Sequence, residues 1–266
     1  MEKEFTYIQQ NQLAWNQRVD GHFASKFYNV EGFINGETSL NPIELTLLGD
    51  VQDKSILHLQ CHFGMDTLSL SRLGAKVTGV DFSNLAIEKA WDLVKATQVD
   101  ARFIQSDIFK LPDHLDEKFD IVFSSYGTIG WLPELKTWAK IIQRYLKPGG
   151  TLVFVEFHPT FYMFSDDQKE IEFSYFNRGP LTFTEEESYV GTSLSEPQSY
   201  TWWNHSLEDV LQNLMVSGLM IRSFHEYDFS PHNCFQNMVE SSTGQFKIKG
   251  LEGKLPLVFS IVAENI

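Results

Sequence analysis

Between Ser55 and Val155 the chain alternates short β-branched or leucine-rich runs with amphipathic stretches. Five runs have strand length: Ser55-Ile56-Leu57-His58-Leu59, Ala75-Lys76-Val77-Thr78-Gly79-Val80, Ala101-Arg102-Phe103-Ile104, Phe119-Asp120-Ile121-Val122-Phe123 and Thr151-Leu152-Val153-Phe154-Val155. Helical stretches separate several of them, the signature of a parallel sheet covered on both faces. Ser83 or Asn84 caps a predicted helix over Leu85–Ala96. Pro133 opens, and Pro148-Gly149-Gly150 closes, a second helix ending in Tyr145-Leu146-Lys147. Residues 1 to about 50 mix aromatic and polar positions, with Leu13, Trp15, Val19 and Phe23 spaced as on a helical face, and predict a helical arm. Residues 160–204 break the rhythm with Phe, Tyr, Ser, Thr and Glu, and predict an inserted lid of hairpins or loops. Beyond it come a capped helix over Ser206–Gly218, a strand over Leu219–Asp228 and a last strand over Leu257–Ala263. The expected architecture is a doubly wound, mostly parallel α/β sheet in residues 51–266, the lid included, preceded by the arm at 1–50.

A length of 266 residues suits one large α/β domain with an insertion. Lysine and arginine number 21 against 35 aspartates and glutamates, a formal charge of −14 that repels phosphate backbones and anionic lipid surfaces. With no run rich in lysine or arginine, the expectation is a small-molecule partner, with neither nucleic acid nor membrane bound. No stretch is apolar for long enough to cross a bilayer, and the polar start lacks a secretory pattern, so a cytoplasmic location is expected. Cys61 and Cys234 read as reduced thiols, neither has metal-ligand spacing, and no metal is expected. Monomer and homodimer both remain open.

In an open α/β sheet, ligands bind beyond the carboxyl ends of the strands, so the residues just after each strand carry the information. After the first strand comes Gln60-Cys61-His62-Phe63-Gly64-Met65-Asp66, where Gly64 allows a tight turn into a helix starting near Asp66. After the second, Asp81 in Val80-Asp81-Phe82-Ser83 is placed to accept two hydrogen bonds from a ribose diol; it can equally cap the following helix. After the third, Asp107 in Gln105-Ser106-Asp107-Ile108 can receive an adenine amino group, with Ile108 covering the ring, or act as a turn residue. Ser124-Ser125-Tyr126-Gly127-Thr128 then forms a small, polar edge facing the reacting end.

These segments, with Phe119-Asp120-Ile121-Val122 and Leu146-Lys147-Pro148-Gly149-Gly150-Thr151-Leu152, resemble the Rossmann-like (class I) S-adenosylmethionine-dependent methyltransferase superfamily from about Lys54 to Pro159. The resemblance implies a seven-stranded sheet whose last strand is antiparallel. It implies S-adenosyl-L-methionine as cofactor, S-adenosyl-L-homocysteine as its product, and a small-molecule methyl acceptor. Cofactor contacts then fall to Gln60, Cys61, His62, Gly64 and Met65 after the first strand, to Asp81 and Phe82 after the second, and to Asp107, Ile108 and Ser124 further on. The family's first loop usually carries an acid at the place of His58 and glycines at those of Gln60 and His62, and only Gly64 matches here. Gln60 and His62 can instead offer side-chain hydrogen bonds to the donor's amino-acid end.

Other residues compete for roles around the acceptor. Trp15, Arg18 and His22 fall at roughly helical spacing, so one arm surface can present an aromatic, a cation and an imidazole to the site, or simply pack. Tyr126 and Trp131 are candidates for an aromatic wall near the sulfonium, and Trp202 and Trp203, with Tyr200 and His205, for an acceptor pocket or a lid anchor. His158, after the fifth strand, and Tyr126 are the candidate catalytic groups. In-line methyl transfer needs alignment and exclusion of water more than a fixed triad. Alternatives are a nucleoside-binding protein of the same fold without turnover, a nicotinamide-dependent dehydrogenase, and an RNA or protein methyltransferase.

Overall fold

The computed structural model describes residues 2–165 and 168–266. Three helices come first, α1 (Glu2–Ala24), α2 (Val30–Ile34) and α3 (Pro42–Leu48). The alternating part follows as β1 (Ser55–Leu59), α4 (Met65–Arg72), β2 (Lys76–Asp81), α5 (Asn84–Thr97), β3 (Arg102–Gln105), β4 (Phe119–Ser125), α6 (Lys136–Tyr145) and β5 (Leu146–Phe157). A hairpin of β6 (Leu181–Glu187) and β7 (Ser193–Trp202) leads to α7 (Leu207–Val216) and β8 (Leu219–Tyr227). A second hairpin, β9 (Met238–Ser242) with β10 (Gln245–Ile248), precedes β11 (Val258–Asn265).

The main sheet has seven strands in the order β3-β2-β1-β4-β5-β11-β8. β1 pairs parallel to both β2 and β4, while β11 runs antiparallel to β5 and β8. The central strands are apolar almost throughout because both faces are covered: Ile56, Leu57 and Leu59 of β1 are wholly buried. One face packs on α6 and α7 through Trp138, Ile142, Tyr145 and Leu214; around the tips of β1 and β2, Leu68 of α4 packs with Ala90 and Leu93 of α5 and with Phe103. Strand order reverses between β1 and β4, so the ligand crevice belongs at their carboxyl ends.

The local signals mostly translate directly. Ser83 is the cap of α5, its Oγ accepting from the Ala86 N–H at 3.0 Å. Ser206 and Asp209 form a reciprocal cap on α7. Two details differ. Pro133 lies ahead of α6, whose first turn is capped by the Glu134 carboxylate on the Thr137 N–H. The Pro148-Gly149-Gly150 turn lies within the start of β5 rather than after a helix ending at Lys147; α6 stops at Tyr145, and the pairing with β4 shifts register between Phe119 and Ile121.

The arm departs most from its hydrophobic pattern. Leu13 is 60% exposed, whereas Asn11, Arg18 and His22 are buried. The reason is tertiary: α1 lies along β7, and Asn11 behaves as a strand partner, its Nδ2 donating to the Thr201 carbonyl and its Oδ1 accepting the Thr201 N–H, both at 2.8 Å. The β6–β7 hairpin occupies the second half of the segment read as a lid. Among the described residues no helix is long and apolar enough to cross a membrane.

Candidate functional site

The loop after β1 keeps a glycine-like backbone despite its bulky residues. Gln60, His62 and Gly64 have φ of 55°, 52° and 77°, three left-handed residues at alternate positions. The left-handed conformation costs a side-chain-bearing residue about 1–2 kcal/mol. Four hydrogen bonds offset that cost: Cys61 N–H to the Val80 carbonyl (2.9 Å), His62 N–H to Asp81 Oδ2 (2.8 Å), Gly64 N–H to the Cys61 carbonyl (2.9 Å) and Gln60 Nε2 to the Thr128 carbonyl (2.8 Å). Gly64 has no substitute, because a Cβ there meets the Phe103 ring at 2.5 Å. Gly64→Ala is expected to cost about 3 kcal/mol from conformation and overlap together, read as a lower urea midpoint; an unchanged midpoint would refute this tight packing.

A narrow crevice opens beside this loop, lined by Gln60, Asp81, Phe82, Ser106, Asp107, Ile108 and Trp131, with Ile8 contributed by α1. Asp81 does not cap α5. Its Oδ2 accepts the His62 N–H and its Oδ1 the Ser83 N–H (2.9 Å), tying the first loop to the second strand and leaving each oxygen a further lone pair. Burial pushes its carboxyl up from 3.8 to about 7, with those backbone bonds opposing. Asp107 does cap, its Oδ1 accepting the Phe109 N–H at 3.0 Å, while buried Ile108 lines the same wall.

Above the loop, α1 and the hairpin close a cluster of rings. Trp15 lies 5.2 Å from both His62 and Trp131, His22 5.4 Å from His62, and Trp131 5.2 Å from both Tyr200 and Trp202, all between ring centroids. The Arg18 guanidinium sits 5.0 Å from the Tyr200 ring centre, and its Nη2 donates to Glu185 Oε2 of β6 at 2.8 Å. Several buried polar atoms here have no hydrogen-bond partner among the described residues: Arg18 Nη1, both His22 nitrogens, Gln60 Oε1, His62 Nε2 and Trp202 Nε1. Each such atom costs about 1–3 kcal/mol, so a concentration of them at one sheet switch point marks a ligand space. Burial drives His22 down to about 3, with Arg18 adding to the effect, so it is neutral here.

At the tip of β4 the organising group is Glu156. Its carboxylate accepts N–H groups of Gly127, Thr128 (2.7 Å), Ile129 (3.2 Å) and Phe157 (2.7 Å), and the Thr128 hydroxyl at 2.9 Å. Tyr126, held at φ 48°, donates its hydroxyl to Glu44 Oε2 at 2.9 Å. Other sequence candidates stand elsewhere. Both ring nitrogens of His158 are engaged, with Thr160 (2.8 Å) and Glu226 (3.0 Å). Cys61 and Met65 turn their side chains into the core beside Phe63 and do not line the crevice, and the buried Ser124 hydroxyl bonds Thr128. Trp203 anchors the hairpin, its N–H donating to the Gly130 carbonyl at 2.8 Å and its ring against Tyr7. His205 donates from Nε2 to the Leu132 carbonyl.

Residues 57–154 match the family described as a methyltransferase domain. A solved S-adenosylmethionine-dependent methyltransferase from Clostridium acetobutylicum superposes with a TM-score of 0.57 at 17% identity, covering 96% of this chain and 98% of that one. Residues 57–154 are thus similar to a methyltransferase domain, and the chain shares the fold of that solved structure. Among curated relatives, the ubiquinone biosynthesis O-methyltransferase of Alkalilimnicola ehrlichii is 26% identical over 148 residues, 53% of this chain and 60% of that protein. The demethylmenaquinone methyltransferase of Lactococcus lactis is 39% identical over 119 residues, 42% of this chain and 46% of that protein. The chain thus covers less than two thirds of these relatives' length.

Several groups around the strand tips escaped sequence reasoning. Glu44 carries only a helix-cap signal, Asn-Pro-Ile-Glu, and Asp66 only its place at the start of α4. Glu156 sits in an apolar run and Glu185 in an acidic one, and neither pattern shows that one organises a loop and the other grips Arg18.

Proposed function

We propose that this chain transfers a methyl group from S-adenosylmethionine to a small, ring-bearing acceptor. The observation that carries this is the crevice at the strand switch point, lined by the Asp81 carboxylate and by Gln60, whose Oε1 is buried without a partner, with further unpartnered polar atoms in the ring cluster above the loop. Those groups fit the donor piece by piece. The remaining lone pairs of Asp81 suit the ribose hydroxyls, and Asp107 with Ile108 suits the adenine edge and face. Arg18 Nη1 is a free donor for the amino-acid carboxylate, and Gln60 Oε1 a free acceptor for the ammonium. When bound, the donor supplies a methyl group already activated by positively charged sulfur. The protein's part is then alignment and exclusion of water. Trp131 and Trp202 wall the space with flat rings, and α1 with the β6–β7 hairpin roofs it through the Asn11–Thr201 and Arg18–Glu185 contacts. The names of the curated relatives, one a ubiquinone biosynthesis O-methyltransferase and the other a demethylmenaquinone methyltransferase, favour a ring-bearing acceptor.

Calorimetry with S-adenosylmethionine and S-adenosylhomocysteine is expected to give saturable one-site binding. Methyl-labelled donor incubated with a pool of small phenols and quinols is expected to label at least one product. Absence of binding removes the whole reading; binding without any labelled product reduces it to a nucleoside-binding protein.

A further inference from the structure

A second crevice adjoins the proposed donor crevice at the short turn Ile129–Trp131. Trp131 lines the first crevice, Ile129 and Gly130 line the second, and the Trp131 and Trp202 rings meet at 5.2 Å. The second encloses about 210 Å³ between the ends of β5 and β7, with Glu156, Tyr162, Trp202, Asn204 and His205 among its walls. That is below the roughly 300–1,000 Å³ of a pocket for a whole drug-sized ligand, so it suits one end of a molecule. Gly130 seats the indole, because a Cβ there would overlap the six-membered ring of Trp202 along the edge that bears Nε1. That Nε1 is buried and has no hydrogen-bond partner among the described residues.

The polar groups around this donor say what it can meet. Tyr162, its ring 4.9 Å from that of Trp202, carries a hydroxyl with no hydrogen bond among the described residues. Asn204, 4% exposed, spends its Nδ2 on the carbonyls of Pro159 (3.3 Å) and Ser174 (3.0 Å), which leaves Oδ1 as its uncommitted end. His205 has nothing to offer, with Nε2 on the Leu132 carbonyl and Nδ1 3.3 Å from Asn177 Nδ2. Glu156 is committed as well: four N–H groups and one hydroxyl converge on it, the pattern of an ionised carboxylate with no lone pair to spare. An anion here meets a buried negative charge. An ammonium finds no free lone pair on Glu156 and, like an alkyl group, leaves the Trp202 N–H unpaired. An uncharged carbonyl oxygen satisfies that N–H without either penalty.

We infer that this crevice binds an uncharged carbonyl group at one end of the methyl acceptor, and that Trp202 determines specificity by donating to it from Nε1. The inference rests on the reading given under Proposed function. The Tyr162 hydroxyl supplies a second donor to the carbonyl oxygen, and an N–H or O–H beside the carbonyl donates to Asn204 Oδ1. With that end held, the rest of the acceptor leads past Trp131 toward the donor crevice. No bond is made or broken here; the crevice selects and aligns.

The test uses the full chain, saturated with S-adenosylhomocysteine and labelled with nitrogen-15 in its six tryptophans, and three probes that share one ring: benzamide, benzoate and benzylammonium. The Trp202 indole N–H resonance is the one missing from Trp202→Phe. Benzamide is expected to bind with a Kd of about a millimolar, as befits so small a ligand, and to move that resonance downfield as its carbonyl accepts the N–H. Benzoate and benzylammonium are expected to bind about tenfold more weakly or worse. Tyr162→Phe should weaken benzamide about fivefold. The same variant should keep S-adenosylhomocysteine affinity within about twofold and the melting temperature within about 1 °C, since the hydroxyl holds nothing in the protein. A Trp202 resonance that stays in place as benzamide is raised, the result if the crevice holds water only, would overturn the assignment. So would benzoate or benzylammonium binding as tightly as benzamide, or benzamide affinity unchanged in Trp202→Phe. Failure of the unaltered protein to bind S-adenosylhomocysteine overturns the methyltransferase reading instead, and the benzamide titration of the free chain then still decides the crevice.

Discussion

Asp81→Ala is expected to weaken S-adenosylmethionine binding about a hundredfold. The carboxylate stands at the crevice with one lone pair on each oxygen uncommitted, and charge-assisted hydrogen bonds to a ribose diol are worth about 1.5–3 kcal/mol each. Part of the loss is indirect, since the His62 and Ser83 N–H groups would lose the partner that ties the first loop to β2. The pH dependence separates the two contributions. Burial holds Asp81 near 7 in the free protein, and diol binding needs the ionised form. Affinity should therefore fall by up to about tenfold per pH unit as pH drops below 7, with a proton released on binding at neutral pH. Calorimetry in buffers of different ionisation enthalpy reads both. In Asp81→Ala the proton release and the pH slope should vanish together; a variant that binds as tightly, with the same slope, would remove Asp81 from the site.

Glu156→Gln should lower the melting temperature by about 10 °C, the largest stability effect expected for an isosteric change in this chain. Four backbone N–H groups and one hydroxyl converge on this carboxylate, which is 2% exposed. An amide keeps one acceptor oxygen and turns an NH2 group against the remaining donors, leaving buried N–H groups without partners at about 1–3 kcal/mol apiece. Because three of those four N–H donors belong to Gly127–Ile129, the loop that also holds Gln60 through the Thr128 carbonyl should loosen with them. Scanning calorimetry measures the stability, and donor affinity should fall alongside it. A melting point within about 1 °C of the unaltered protein would show that the loop is held by other contacts.

The two effects share a cause. The loop after β1 lacks two of the three glycines its backbone conformation favours, and it keeps that conformation through bonds from outside itself, at Asp81 and at the Thr128 carbonyl. Substituting either support acts on a loop that is already strained, which is why both reach the proposed donor site.

Much of this could be read from the chain alone, because it depends on neighbours in sequence. The run of buried strands from Ile56 to Val155, the caps at Ser83 and Ser206, the turn at Gly64 and the acids after β2 and β3 are local patterns. Their order carries the parallel sheet and the position of the crevice. Tertiary structure alone decided what depends on residues distant in sequence. Asn11 and Arg18 are buried because Thr201 and Glu185 come to meet them, and Leu13 is exposed because its side of α1 meets nothing comparable. His158 spends its ring nitrogens on Thr160 and Glu226, and Glu44 and Asp66 gain their neighbours from Tyr126, just past β4, and Ser125, its last residue. A periodic pattern reports which side of an element is buried when apolar contact buries it; it is silent when a hydrogen bond from a hundred residues away does so.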